Sequence, residues 1–300
     1  MSTSARSGFF TALAAYTLWG ITPIYFKWVS YENPLDVVAN RVVWSVLLLG
    51  LMITVMAKWP QVKIAISSFK TLKMLLLTTF LIGTNWLTFI YSVATDRMLD
   101  ASLGYYINPL MSVLLAYFFL QERLSLIQWF ALSLALVGVA IQIVSVGYLP
   151  WISIVLALSF GFYGLCHKKT ATDSTTSLFI ETALLLPLSL LFMGFLFQAG
   201  EGPATRDVSG WLLLVLSGPV TTIPLLLFSI GAKKITLTTL GFMQYIAPSM
   251  VLILAVFVYG ETLTLEKSIT FLFIWVGLVL YAFDSLRGKM KKKASKIKSM

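Results

Sequence analysis

Charge is scarce in this 300-residue chain: Asp, Glu, Lys and Arg make up 11% of it, against roughly 25% in an ordinary soluble protein. Length alone suggests a pair of soluble domains. So few charges cannot keep such a pair in solution when 58% of the residues are hydrophobic and the mean hydropathy is +0.88. Cysteine is rarer still. With Cys166 alone there is no intramolecular disulfide, and one Cys with one His leaves no metal cluster and no metal or other cofactor to expect. Cys166 and His167 are neighbours, so on a helix they point about 100° apart and cannot form a nucleophile and base pair. The chain also lacks HExxH, GxSxG and a phosphate loop, which removes the usual signatures of an intramembrane or ATP-driven enzyme. Alternating ten-residue segments are missing as well, which excludes a transmembrane barrel.

Long apolar runs are what the chain does have. At about 20 residues per span, they read as ten transmembrane helices at about residues 8–28, 35–57, 72–93, 99–120, 125–145, 150–167, 175–199, 209–231, 235–259 and 267–286. The first is too long and too aromatic for a cleaved signal, carrying Tyr16, Trp19 and Tyr25, and is expected to persist as helix one. Ten spans place both termini on one side. With that side inside, it holds 17 of the basic residues: Arg6, Lys58, Lys63, Lys70, Lys73, Arg123, Lys168, Lys169, Lys233, Lys234 and the seven of the tail after Asp284. The other side holds four, Lys27, Arg97, Arg206 and Lys267, and Arg41 lies within a span. The positive-inside rule therefore predicts cytoplasmic termini, with the tail near anionic lipid. The net charge of +10 is a sidedness signal and gives no reason to expect nucleic acid.

The chain resembles itself. A shift of 139 residues superposes span four on span nine with ten identities from Tyr106 to Leu126, among them Tyr106/Tyr245, Pro109/Pro248 and Glu122/Glu261. Val137-Gly138 falls on Val276-Gly277 at the same shift, and Trp19-Gly20 resembles Phe160-Gly161 nearby. Five spans per copy is an odd number, so the copies enter the membrane from opposite faces. Inverted repeats of this kind build transporters that expose a midplane site to each side in turn. Residues 1–145 form the first copy, 150–286 the second and 287–300 a basic tail.

Several segments carry a family likeness: Leu18 to Lys27, Asn40-Arg41-Val42-Val43-Trp44, Asn85-Trp86, Ser102 to Leu110, Phe162-Tyr163-Gly164 and Leu240 to Pro248. On these the chain resembles the EamA-type repeat proteins of the drug/metabolite transporter superfamily, and among them the RarD subfamily. The resemblance implies an all-α integral membrane fold of two inverted five-helix repeats. It also implies a bacterial inner-membrane exporter or importer of small organic molecules, with a name linked to chloramphenicol sensitivity. From it too comes the expectation that spans one to four and six to nine surround the site while five and ten are peripheral.

The polar interruptions of the spans are the candidate site, since hydrocarbon penalises a charge by about 2.5 to 3.5 kcal/mol on insertion scales. Arg41 offers an anchor for a substrate anion, with Trp44 one turn on; the alternative is an arginine satisfying helix-end carbonyls or snorkelling outward. Glu181 offers a proton-coupling carboxylate; its alternative is a first-turn acid held by the helix dipole beside Thr175, Thr176 and Ser177. Because spans two and seven are repeat partners, these two charges approach the midplane from opposite faces and need not pair.

Asn85, Asn108 and Gln244 either orient a ligand or join helices. Pro109 and Pro248 each free a backbone carbonyl, so broken helices at matching positions mark a binding niche around Tyr106, Asn108, Gln244 and Tyr245. Tyr16, Trp19 and Pro23 share a face of helix one, and Trp86 lies within span three. These suit the wall of an aromatic cavity, or simple packing. Glu122 and Glu261 end spans four and nine just before the helix caps Ser125 and Thr264, Asp284 and Arg287 form an i,i+3 pair, and His167 is expected at the interface.

The function expected is secondary transport of a small molecule, with export the favoured direction, by a monomer or homodimer. A channel or a non-transporting scaffold is the competing class, although a scaffold has no need of two inverted halves.

Overall fold

The computed structural model describes residues 3–95, 97–148, 150–199, 208–260 and 263–298. Its first half contains α1 (Thr3–Trp28), α2 (Pro34–Val55), the short α3 (Trp59–Ser67), α4 (Phe69–Ala94), α5 (Met98–Leu120) and α6 (Leu126–Val146). The second contains α7 (Trp151–Lys169), α8 (Ser174–Gln198), α9 (Val208–Lys234), α10 (Leu237–Gln244), α11 (Ile246–Ile253) and α12 (Leu265–Lys298). Ten segments are long and apolar enough to cross a membrane, and no strand occurs among the described residues. Helix is the form the composition demands, because hydrocarbon offers no partner to an unpaired backbone N–H or C=O.

Local chemistry sets the ends. Asn33 accepts from Leu35 N ahead of Pro34, Ser68 from Thr71 N, Asp173 from Thr176 N and Thr236 from Thr239 N. Ser125 and Gln128 form a reciprocal capping box at the start of α6. The α5 end is a left-handed Gln121 and the α6 end a left-handed Gly147.

Two departures from the sequence expectation have physical causes. The stretch after span two is itself helical, as α3, because Pro60 stands in its first turn where a missing N–H is harmless. Proline has unequal effects in the two copies. α5 runs unbroken through Pro109, whereas span nine divides at Tyr245 into α10 and α11 and ends in a π turn at Leu254–Val258.

Packing follows a pseudo-two-fold pattern. α1 lies on α9 and α11, and its counterpart α7 lies on α4 and α5; α2 crosses α8, α5 crosses α10, and α6 packs along α12. Residue contacts repeat with the helices. A Cβ on Gly20 meets Met250 at 2.7 Å and one on Gly161 meets Met111 at 3.6 Å; Gly138 meets Thr270 at 3.0 Å and Gly277 meets Ala131 at 2.9 Å. In each pair the second contact is the first carried through the 139- to 141-residue repeat. Tyr245, the repeat mate of Tyr106, donates to the Tyr106 carbonyl where α5 and α10 cross. The main core gathers between the halves, around Tyr16, Trp86, Tyr163, Phe228 and Leu240.

Candidate functional site

For orientation, the face on which α1 begins and α12 ends is called the tail side, and the opposite face the far side. Arg41 is the eighth residue of α2, which begins on the far side, and Glu181 the eighth of α8, which begins on the tail side. Each lies about 10 Å along its helix. The two positions are 140 residues apart, so the repeat makes them equivalents facing from opposite sides.

The Arg41 guanidinium is half-buried. Its Nε donates to Thr221 Oγ1 of α9 at 2.8 Å. Its Cζ lies 4.8 Å from the Trp86 ring centroid and 5.6 Å from that of Phe26. The phenols of Tyr25 and Tyr105 are near enough to act on it electrostatically. No carboxylate pairs with it among the described residues. Trp44, one turn further, packs so closely on α9 that a Cβ on Gly218 would stand 2.5 Å from Trp44 Cβ. α9 reaches α2 here only because residue 218 has no side chain.

Glu181 is 1% exposed and surrounded by polar groups. Thr78 of α4 donates to Oε1 at 2.6 Å and Tyr163 of α7 to Oε2 at 3.0 Å. His167 Nε2 lies 2.9 Å from Oε1 and 3.2 Å from Oε2, and its Nδ1 lies 2.7 Å from Ser229 Oγ of α9. Glu181 is therefore no first-turn acid: Asp173 caps α8, and the Glu181 carboxylate is turned towards α4 and α7. His167, expected at the interface, is fully buried. The sequence reading missed it because one helical residue shows no preference for a face. The signal lay in the repeat, since His167 stands 141 residues after Phe26, the ring beside Arg41.

The other candidates separate. Tyr16 and Trp19 join Phe160, Tyr163 and Phe228 in a packed aromatic cluster. Asn85 is consumed in joining α4 to α7, donating to Leu156 O and Ser159 Oγ at 3.0 Å each. Gln244 accepts from Ser112 at 2.8 Å, and Tyr106 packs edge-on to Phe271 of α12, away from Arg41. Three candidates keep buried polar atoms without a protein partner: Tyr16 OH, Trp44 Nε1 and Asn108 Oδ1. Such orphans are costly unless water or a ligand reaches them.

The tail side is tied both across the repeats and within the second copy. Glu122 accepts from Leu237 N at 2.8 Å and Thr238 N at 2.9 Å, capping α10 of the opposite copy. Lys168 donates to the carbonyls of Ala232 and Ile235, and Lys233 to that of Thr172. Asp284, expected to pair with Arg287, instead accepts from Ser125 Oγ and Gln128 Nε2 at 2.7 and 2.9 Å. Glu261 and Arg206 lie outside the described residues.

Ten spans, a two-fold-related packing and a polar niche at each depth define an inverted-repeat membrane transport protein. The profile of the EamA-like transporter family matches residues 6–144 and again 149–283, and the chain belongs to that family. Among its relatives, an uncharacterized transporter of Vibrio cholerae is 47% identical over 286 residues, 94% of each chain. Protein RarD of Salmonella typhimurium is 43% identical, covering 96% of this chain and 98% of its own. These matches make the protein a RarD-type EamA transporter of the bacterial membrane. A solved crystal structure at 18% identity and TM-score 0.70, covering 93% of this chain and 97% of that one, shares the fold.

Proposed function

We propose that the protein exports a small organic molecule carrying an anionic group, by alternating access, and that Arg41 anchors the anion. One observation carries the reading: an intramembrane guanidinium that, among the described residues, has a hydrogen bond to a neutral hydroxyl and no carboxylate to neutralise it. A charge in that position is costly until a counter-ion arrives, and the terminal nitrogens are suited to a bidentate carboxylate or phosphate. Trp86 and Phe26 supply aromatic faces for the organic part of the cargo, and Trp44 Nε1 a donor. The Lys/Arg asymmetry supports a cytoplasmic tail side.

Untargeted metabolite comparison of cells with and without the protein, followed by proteoliposome transport of the leading hits, tests this reading. Organic acids or phosphates are expected, with flux that saturates and is stimulated by cargo on the opposite side. Arg41→Ala is expected to lower transport at least about tenfold, the equivalent of 1.4 kcal/mol, with Arg41→Lys intermediate because an ammonium loses the fork geometry. Exclusively neutral or cationic cargo, or full transport by Arg41→Ala, rules the anchor out. Flux that never saturates favours a channel.

A further inference from the structure

The repeat places a second niche opposite the Arg41 niche, and its chemistry is different. Arg41 sits beside Phe26 of α1 and Thr221 of α9; Glu181, its equivalent, sits beside His167 of α7 and Thr78 of α4. The partners come from corresponding helices, since α7 repeats α1 and α4 repeats α9. One niche presents a cation with aromatic rings, the other a carboxylate with an imidazole. We infer that His167 and Glu181 form a proton-binding dyad on the tail side, and that taking up a second proton there releases the tail-side seal.

Three donors converge on the Glu181 carboxylate, from Thr78, Tyr163 and His167 Nε2. An ionised carboxylate accepts from all of them, and the pair His⁺/Glu⁻ is neutral overall, as a buried site requires. A proton added to Glu181 forms an O–H bond, turns that oxygen into a donor and leaves the dyad with a net positive charge. Thr78 can then turn its hydrogen to Leu75 O, 2.9 Å away, and accept from the acid, but the positive charge of the pair is left without a counter-ion and is tolerated only where water reaches it. Proton uptake therefore favours separation of α8 from α4 and α7.

The surrounding charges fit this position. Lys233, one turn beyond Ser229 on α9, acts electrostatically on Glu181, as does Cys166 on α7. From α4 the nearest ionisable residue towards the tail side is Lys73, and the ionisable residues of α2 (Asp36 and Arg41) lie at its far-side end. Lys168 and Lys233 bridge the mouth just outside the dyad, so parting the seal would hydrate the dyad from the tail side. α9 touches both niches, with Thr221 at Arg41 and Ser229 at His167. Eight residues separate them, about 12 Å, with Pro224 between.

The test needs no cargo, so its outcome is independent of the anion reading. Full-length protein in lipid nanodiscs is titrated from about pH 8 down to about pH 3, a range that spans the ordinary values of both an imidazole and a carboxyl. Infrared difference spectroscopy follows the carboxylic-acid C=O band, and hydrogen–deuterium exchange, corrected for intrinsic rates, follows peptides 164–182 and 225–237. In the wild type the band is expected to grow and both peptides to exchange faster on acidification. Glu181→Gln should lose the band, His167→Gln should displace its midpoint, and both should lose the exchange response. No band in the wild type, a band unchanged in Glu181→Gln, or an exchange response surviving in both variants overturns the inference. Should Glu181→Gln not fold, Glu181→Asp decides: a displaced midpoint supports the dyad and an unchanged one overturns it.

Discussion

At the scale of single residues, the transport chemistry reduces to how two ionisable side chains are accommodated in a membrane. Glu181 is hydrogen-bonded by Thr78 and Tyr163 and lies beside His167; Arg41 has no carboxylate beside it among the described residues, which is what the proposed anion anchor rests on. Close approach matters as much as charge. Because a Cβ at residue 218 would lie 2.5 Å from Trp44 Cβ and 2.7 Å from the Trp44 carbonyl carbon, Gly218→Ala must push α9 off α2. Overpacking of this kind costs about 1 to 3 kcal/mol. A lowered thermal midpoint with reduced transport is expected in a fluorescence-detected unfolding assay, and an unchanged midpoint would show that the two helices part freely.

At the scale of elements, the unequal proline response is the main asymmetry between the copies. Pro248 cannot donate to the Gln244 carbonyl, and span nine breaks at the next residue. Restoring that donor with Pro248→Ala should join α10 to α11. Amides around 245–249 should then exchange more slowly, and transport should slow if the break acts as a hinge; exchange as fast as in the wild type would assign the break to packing instead.

The α3–α8 junction is held by Lys58 Nζ to Asp173 Oδ1 at 2.7 Å. Burial pushes the Asp173 carboxyl up, but hydrogen bonds from Lys58 and Thr176 outweigh it and hold the pKa below the ordinary 3.8. A depressed carboxyl stabilises above its unfolded value and loses that contribution as pH falls through the folded one. The tie is therefore expected to be intact at neutral pH and lost only below about pH 4. The checking measurement is the thermal midpoint of Asp173→Asn against wild type, which should converge in acid. Because the pair is partly exposed, its effect is small.

At the scale of the whole molecule, two inverted copies share one packing scheme, which is what the proposed alternating access requires of conformations open to either side. The tail side is tied by Glu122 across the repeats and by Lys168 and Lys233 within the second copy. The 17 to 4 distribution of Lys and Arg predicts a cytoplasmic tail side. In a Cys166→Ser background, an impermeant maleimide added to intact spheroplasts should label Tyr31→Cys and leave Lys63→Cys untouched until the cells are broken. The reverse pattern would invert the topology and move the proposed proton dyad to the outside.

Composition and repeat length alone determined the membrane class, the ten spans and the division into inverted copies, because these depend on hydrophobicity and on residue separation along one dimension. The same one-dimensional reading singled out Arg41 and Glu181, since charge within an apolar run is visible without a fold. What it could not decide is which side chains meet. Thr221 lies 180 residues from Arg41 and Thr78 lies 103 from Glu181, and only helix crossings bring such pairs together. For the same reason Asn85, Tyr106 and Gln244 looked alike in sequence to groups that face the niche. His167 turned inward because α7 packs against α4, α5 and α9 at once, leaving its ring no route to water. Tertiary structure decided the partners because burial and hydrogen-bond satisfaction are properties of three dimensions.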